Sequence, residues 1–154
     1  MRIRRHTRPV DAAVRERLVE LYAALGPGYP GEVARVFAGE DATVDAAWCA
    51  GYAARTELCL KADELSSGVL FALPPTWEVM RTVILNLRGG FSRQGELVSV
   101  TGHLYCRPRG SWRIDRLPFL HVWTIRAGTA IRFESYFDGI ALRRMEPAES
   151  RRAA

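Results

Sequence analysis

The first half of the chain carries apolar residues mostly at helical spacing. Over residues 11–25 they recur every three or four positions, and the glycines and prolines of the next segment end the pattern. A second short helix is predicted over residues 31–38, followed by a strand that ends near Trp48. Over residues 51–70 the apolar positions return to helical spacing, which predicts a third helix.

The second half of the chain alternates between strand-like segments and turns. Four segments are rich in β-branched and large apolar residues, and glycine-containing turns separate them: 76–87, 96–106, 112–126 and 130–138. A short helix is predicted over 139–145. Helices followed by hairpin-connected strands are typical of an α+β domain, with the helices packed on one face of an antiparallel sheet. We expect one domain over residues 10–146, with disordered tails at 1–9 and 147–154.

Alternate residues of the last two predicted strands point to opposite faces of the sheet. One face collects the bulky, mostly aromatic positions, which are Leu117, Phe119, His121, Trp123, Ile125, Ile131, Phe133, Ser135 and Phe137. This face should pack against the helices. The other face is too apolar at Leu120, Val122 and Tyr136 to lie wholly in water, which predicts that a second copy of the chain covers it.

His121 is the polar exception on the face that should pack against the helices. An unpartnered buried polar group costs about 1–3 kcal/mol, so the imidazole must either bond to a core partner or line a cavity. Small-molecule sites combine apolar walls with a few polar groups that set the orientation of the ligand. Phe119 and Trp123 could supply such walls beside the small Ser135. On the residues alone, a core histidine and a ligand contact both remain open.

Composition and charge exclude several classes of protein. The 154 residues are enough for a single domain with a real core. The net charge is +5, and four of the positive charges stand before the first predicted helix, at Arg2, Arg4, Arg5 and Arg8. Because these charges lie in the predicted N-terminal tail and not on the folded domain, we expect no nucleic-acid binding. No apolar run is long enough to cross a membrane, and no apolar segment of a secretory signal follows the basic start. We therefore expect a cytoplasmic protein.

The spacing of cysteines and histidines predicts neither a metal site nor a disulfide framework. The chain has three cysteines and three histidines, without a C-x-x-C or H-E-x-x-H pair. Free thiols in a reducing compartment are the expected state. No glycine-rich phosphate loop is present in the sequence, so no cofactor is predicted.

Several segments resemble the NTF2-like superfamily and, within it, the SnoaL-like polyketide cyclases. They are LPFLHVWTIRAGTAIRFESYFD near the C-terminus and LYAAL and VARVFAGEDATVDAA near the N-terminus, together with the order of elements. The resemblance covers about residues 10–145. It implies a cone-shaped α+β barrel in which three N-terminal helices wrap a curved antiparallel or mixed sheet. It also implies a pocket between sheet and helices, and a homodimer through the outer sheet face.

The resemblance can be compared position by position with two acid-dependent chemistries of the superfamily. The catalytic aspartate of the ketosteroid isomerases would fall near Ala46, where this chain has no acid. The arginine and aspartates of the epoxide hydrolases would fall at Gly102, Leu104 and Ser135. His121 matches a position where the isomerases carry an acidic hydrogen-bond donor to the substrate oxygen, a role that a histidine could fill.

We therefore predict a small cofactor-independent cyclase or isomerase. It would close a ring, by cycloaddition, conjugate addition or aldol chemistry, in an apolar polyketide-like intermediate of natural-product biosynthesis. His121 is the predicted catalytic donor and Tyr22 a second candidate. The predicted substrate-binding residues are Trp48, Trp77, Leu104, Leu117, Phe119, Trp123, Phe133, Ser135 and Phe137.

Two alternatives remain. The first is a non-catalytic NTF2-like module that binds a ligand or a protein, and the second is an enzyme of the epoxide-hydrolase type. A roomy pocket would favour the enzyme. A cone plugged by Trp48, Trp123 and Phe133 would favour the module.

Overall fold

The computed structural model describes residues 8–25, 37, 39, 42–50, 54–61 and 64–137. The elements in chain order are helix α1 (Ala12–Ala24), strands β1 (Thr43–Ala50) and β2 (Ala54–Lys61), helix α2 (Ser67–Leu70), and strands β3 (Trp77–Phe91), β4 (Glu96–Pro108), β5 (Asp115–Arg126) and β6 (Thr129–Phe137). The predicted helices over 31–38, apart from Phe37, and over 139–145 lie outside the described residues, as does most of both predicted tails.

Helix α1 begins where the sequence pattern places it. The side chain of Asp11 caps the helix, because one carboxylate oxygen accepts hydrogen bonds from the backbone N–H groups of Ala13 and Val14 at 2.9 and 3.3 Å. Its buried stripe consists of Val14, Leu18, Leu21 and Tyr22. This stripe packs against the sheet. Thr82 of β3 fixes the end of the helix by donating from Oγ1 to the backbone carbonyl of Tyr22 at 2.5 Å.

Six strands form one mixed, curved and unclosed sheet in the order β2-β1-β6-β5-β4-β3. All neighbouring strands are antiparallel except β1 and β6, which run parallel. Register shifts in β3, between Val79 and Arg81 and between Ile84 and Asn86, mark bulges that bend the sheet. The predicted α+β arrangement with a curved mixed sheet is confirmed.

A two-residue turn fixes the pairing of β5 with β6. Ala127 and Gly128 both have positive φ angles, 50° and 76°, as the tight hairpin turns that match strand twist require. The resulting register places His121 opposite Ser135 on the inner face of the sheet. Both side chains are buried, so the predicted assignment of strand faces is confirmed at these positions.

The third predicted helix, over residues 51–70, is wrong for most of its length. Residues 54–61 form β2, which pairs antiparallel with β1, and the helix that follows is the four-residue α2. The backbone ladder with β1 overrides the local apolar spacing, because it pairs backbone polar groups along the full length of the strand. The count of three N-terminal helices is therefore not supported, and the described part of the chain holds α1 and α2.

Candidate functional site

His121 lies at the centre of a cluster of aromatic rings. Its side chain is fully buried, and the rings of Phe71, Phe119 and Phe133 have centroids 5.0, 4.7 and 4.9 Å from the imidazole centroid. Strand β5 supplies the histidine, and the backbone following α2 supplies Phe71. We call the six rings of Tyr22, Phe71, Phe119, His121, Trp123 and Phe133 the aromatic centre.

A chain of hydrogen bonds holds the polar atoms of the aromatic centre. The indole N–H of Trp123 donates to the phenol oxygen of Tyr22 at 3.1 Å, and that oxygen lies 2.5 Å from Nδ1 of His121. An indole N–H can only donate, so the phenol accepts from Trp123 and is free to give its own proton to Nδ1. In that arrangement the neutral imidazole carries its proton on Nε2. Among the described residues, no group forms a hydrogen bond of normal geometry with Nε2.

Burial keeps His121 neutral. It lowers the pKa of the imidazole from its usual 6.5 to about 3, because the charged form is removed from water, while a backbone interaction with Leu70 acts weakly in the opposite direction. Burial also raises the pKa of Tyr22, and the hydrogen bond from Trp123 offsets this in part. Both groups therefore stay uncharged near neutral pH, and they can donate or accept hydrogen bonds only as neutral groups.

A cavity lies beside the aromatic centre, among the described residues. It has a volume of about 830 Å³ and opens between β2, α2 and the beginning of β3. Its walls are formed by Trp48, Thr56, Leu58, Leu60, Ser66, Ser67, Gly68, Val69, Ala72, Leu73, Pro74, Pro75, Trp77, Glu78, Val79, Arg109 and Phe137. Neither His121 nor Tyr22 contributes to these walls.

One short stretch of chain, residues 66–73, separates the cavity from the aromatic centre, and we call it the α2 segment. Val69 and Ala72 line the cavity, whereas Leu70 is fully buried and Phe71 packs on the imidazole. The indole N–H of Trp48 donates to the backbone carbonyl of Val69 at 2.9 Å and ties the segment to β1. The α2 segment therefore contributes residues both to the cavity wall and to the packing around His121.

Two charged side chains stand among the mostly apolar walls of the cavity. Glu78 of β3 accepts a hydrogen bond from Nε of Arg107 at 2.7 Å, which forms an ion pair across the β3–β4 ladder. Arg109 follows the end of β4 and is exposed. Hydroxyl groups are supplied by Thr56, Ser66 and Ser67. Apolar walls with few polar groups are typical of sites for small organic molecules.

The structure divides the predicted site residues into two groups. Trp48, Trp77 and Phe137 line the cavity. The others lie outside its walls, in the core: His121, Tyr22, Leu104, Phe119, Trp123, Phe133 and Ser135 are buried, and Leu117 is partly buried against them. The predicted aromatic cluster therefore exists, but side chains fill it.

Sequence reasoning missed most of the cavity wall. Leu58 and Leu60 of β2 were assigned to a helix, although together with Thr56 they line the cavity at every second position, in the manner of a strand. Two-residue alternation from Thr56 to Leu60 was the signal that could have identified this wall. Glu78 and Arg109 could not be assigned to the cavity from the sequence, because neither belongs to a recognisable motif.

Over residues 8–25, 37, 39, 42–50, 54–61 and 64–137, no group of three or more His, Cys, Asp or Glu side chains could hold a metal ion. Cys49, Cys59 and Cys106 are free thiols. No described helix is both long enough and apolar enough to span a membrane.

Solved structures with the same architecture come from several bacteria. A protein from Jannaschia sp., provisionally named a SnoaL-like polyketide cyclase, is 18% identical over 92% of this chain and 96% of its own, with a TM-score of 0.60. An NTF2-like protein of unknown function from Burkholderia pseudomallei is 20% identical over 90% of this chain and 100% of its own, with a TM-score of 0.62.

A third solved structure with the same architecture is that of TerC. TerC, co-crystallised with polyporic acid, is 20% identical over 87% of this chain and 98% of its own, with a TM-score of 0.59. Neither protein-family models nor curated protein sequences match the chain. The structural likeness confirms the predicted NTF2-like fold, which SnoaL-like proteins share. At these identities it establishes the fold and leaves the reaction to be argued from the site.

Proposed function

We propose that this protein binds a largely apolar small molecule in the cavity beside α2 and closes or isomerises a ring in it, without a cofactor. The cavity is the observation that carries this proposal. Its volume of about 830 Å³ falls within the range of about 300–1,000 Å³ that small-molecule sites occupy. The fold is shared with a provisionally named SnoaL-like polyketide cyclase and with a protein crystallised with polyporic acid, which supports a ring-bearing ligand.

Confinement is the main catalytic effect that such a cavity can supply. Holding the two ends of a flexible chain in contact can contribute up to about 7–11 kcal/mol when their encounter limits the rate. The indole rings of Trp48 and Trp77 and the flat Pro74–Pro75 pair offer rigid apolar surfaces for this purpose. A folded, ring-like conformation of the substrate would bury more apolar area against these walls than an extended one.

Proton transfer would involve Glu78, the carboxylate among the described lining residues. In an aldol closure, Glu78 takes the proton from the nucleophilic carbon, and that carbon forms a bond to the carbonyl carbon. The proton then passes to the new alkoxide oxygen, so the product is an isomer of the substrate. The reaction needs no oxidant, reductant or second substrate, consistent with a cofactor-independent enzyme.

In this proposal His121 and Tyr22 act as positioning residues. Both are fully buried, and the α2 segment stands between them and the cavity. Their hydrogen bond fixes the imidazole, against which Phe71 packs, and so sets the position of the α2 segment in the cavity wall. In a second form of the proposal, the imidazole of His121 donates a hydrogen bond directly to a substrate oxygen. This form requires the ring of Phe71 to move away from the imidazole.

A non-catalytic binding module is the second candidate function. It is favoured by the neutral, fully buried state of His121 and by the ion pair that engages Glu78. In this case the same cavity would hold a ligand without converting it. Binding and turnover must therefore be measured separately.

Binding can be tested with N-phenylnaphthylamine, an apolar dye that fluoresces when it leaves water. We expect saturable binding by the protein and weaker binding by Leu58→Asp, because this change puts a charge on the cavity wall. Cys59→Asp is the matched control, since Cys59 is the next residue on the same strand, exposed, and not part of the wall. Equal binding by all three proteins would contradict the proposed cavity.

Turnover can be tested with a panel of diketo esters able to close a ring by aldol addition, followed by chromatography of the isomeric product. We expect Glu78→Gln to lose conversion while it still binds the dye. Glu57→Gln, which changes an exposed glutamate of β2, is the control and should keep conversion. Dye binding without conversion of any diketo ester by the unchanged protein would favour the non-catalytic module.

A further inference from the structure

We propose that the cavity selects molecules that carry one acidic group, such as a carboxylate, a sulfonate or an ionised enol, and that Arg109 binds this group. The inference rests on the proposed function, because it assumes that the cavity holds an apolar small molecule. It further specifies the ligand as an apolar ring system with a single anionic group at one end.

The balance of charge around the cavity supports an anionic ligand. Glu78 and Arg109 are the charged residues among the described lining residues. The ion pair with Arg107 at 2.7 Å neutralises Glu78. Arg109 forms no ion pair with any described residue. The lining therefore carries one positive charge that no neighbouring carboxylate within the described ranges compensates.

The backbone holds Arg109 in place beside the apolar wall. Its N–H donates to the carbonyl of Thr76 at 2.8 Å, which joins the turn after β4 to the start of β3. Gly110, with a φ of 76°, turns the chain immediately afterwards. Trp77, the residue after Thr76, lines the cavity together with Arg109. An acidic group could meet the guanidinium while the rest of the ligand lies against the indole.

The chemistry of arginine fits such a group. A guanidinium offers several N–H donors in a planar fork that matches a carboxylate or sulfonate, and it stays charged at any pH of interest. The apolar wall on one side excludes water and strengthens the attraction, whereas the exposed side weakens it. A second acidic group would find no further uncompensated positive charge among the described lining residues, which restricts the ligand to one.

Two dyes with the same ring system isolate the contribution of the charge. Anilinonaphthalenesulfonate is N-phenylnaphthylamine with an added sulfonate, so the pair differs only in the acidic group. We expect Arg109→Gln to weaken binding of the sulfonate dye by about fivefold, the effect of one partly exposed ion pair, and to leave the neutral dye within about twofold. Arg109→Lys should recover part of the loss, because it restores the charge without the fork.

The control is Arg88→Gln, which removes an exposed arginine of β3 that does not line the cavity. It should leave the binding of both dyes unchanged. The inference is overturned if Arg109→Gln weakens both dyes equally, weakens neither, or has no larger effect than Arg88→Gln. If neither dye binds the unchanged protein, the proposed function itself fails. The experiment therefore distinguishes a wrong role for Arg109 from a cavity that binds no apolar ligand.

Discussion

The phenol oxygen of Tyr22 lies 2.5 Å from Nδ1 of His121, although the two residues are 99 positions apart along the chain. The bond joins the first helix to the middle of β5, and the indole N–H of Trp123 donates to the same oxygen. One hydroxyl thus provides a partner for two other polar groups of the core. This relationship gives one of the two ring nitrogens of the buried histidine a partner within the aromatic centre.

Removing the phenol hydroxyl tests whether this bond stabilises the fold. Tyr22→Phe would leave Nδ1 of His121 and the indole N–H of Trp123 without a partner, and each loss costs about 1–3 kcal/mol. We expect the free energy of unfolding, measured with urea, to fall by at least about 1 kcal/mol. Tyr105→Phe is the control, because Tyr105 lies half-buried on the opposite face of the sheet. Similar effects of the two substitutions would contradict the assigned role.

Acid should destabilise the protein through His121. Because burial lowers its pKa from 6.5 to about 3, the unfolded chain binds a proton between these values that the folded chain does not. Stability is therefore fully present above about pH 6.5 and falls as the pH decreases towards 3, by about 1.4 kcal/mol per pH unit for this residue. Urea unfolding of the unchanged protein and of His121→Asn, at a series of pH values, measures the difference.

The His121→Asn protein should show a smaller loss between about pH 6 and about pH 4. The matched control is His103→Asn, which removes an imidazole on the opposite face of the sheet. If the asparagine variant does not fold, imidazole NMR shifts of the unchanged protein give the same information. A His121 ring that titrates near pH 6.5, its usual value, would contradict the assigned burial.

Phe71 should control access to His121. Diethyl pyrocarbonate modifies neutral imidazoles that reagents can reach, so the fully buried His121 should react far more slowly than the half-buried His103. Phe71→Ala removes the ring that packs on His121 from the cavity side and should speed modification at His121. Phe91→Ala, at an exposed position, should have no effect. Rapid modification of His121 in the unchanged protein would instead favour its direct participation in catalysis.

Much of the sheet could be predicted from the sequence, because its signals are local. The β5–β6 hairpin has a two-residue turn that ends in Gly128, and the alternation of its strands assigns His121 and Ser135 to one face. The cap at Asp11 and the buried stripe that includes Leu18 likewise mark α1. In these segments local preference and tertiary structure agree.

The cavity could not be predicted, because long-range pairing creates it. Strand β2 is an edge strand whose only neighbour, β1, imposes the extended backbone. Glu78 lies opposite Arg107 because of two register shifts in β3, and counting residues back from the β3–β4 turn would give a different pairing. Phe71 stands in a turn without periodicity, so no pattern indicated that it would cover His121.

The central claim is that a ligand binds in the cavity beside α2 and not in the aromatic centre. The NMR signals of the four tryptophan side chains during a ligand titration test this claim most directly. Two of them, Trp48 and Trp77, line the cavity, whereas Trp123 belongs to the aromatic centre and Trp112 is exposed. Each indole N–H gives one NMR signal, which a Trp→Phe variant assigns. On titration with N-phenylnaphthylamine, we predict that the Trp48 and Trp77 signals shift while those of Trp112 and Trp123 stay in place. A shift of the Trp123 signal with Trp48 and Trp77 unchanged would place the ligand in the aromatic centre and contradict the account.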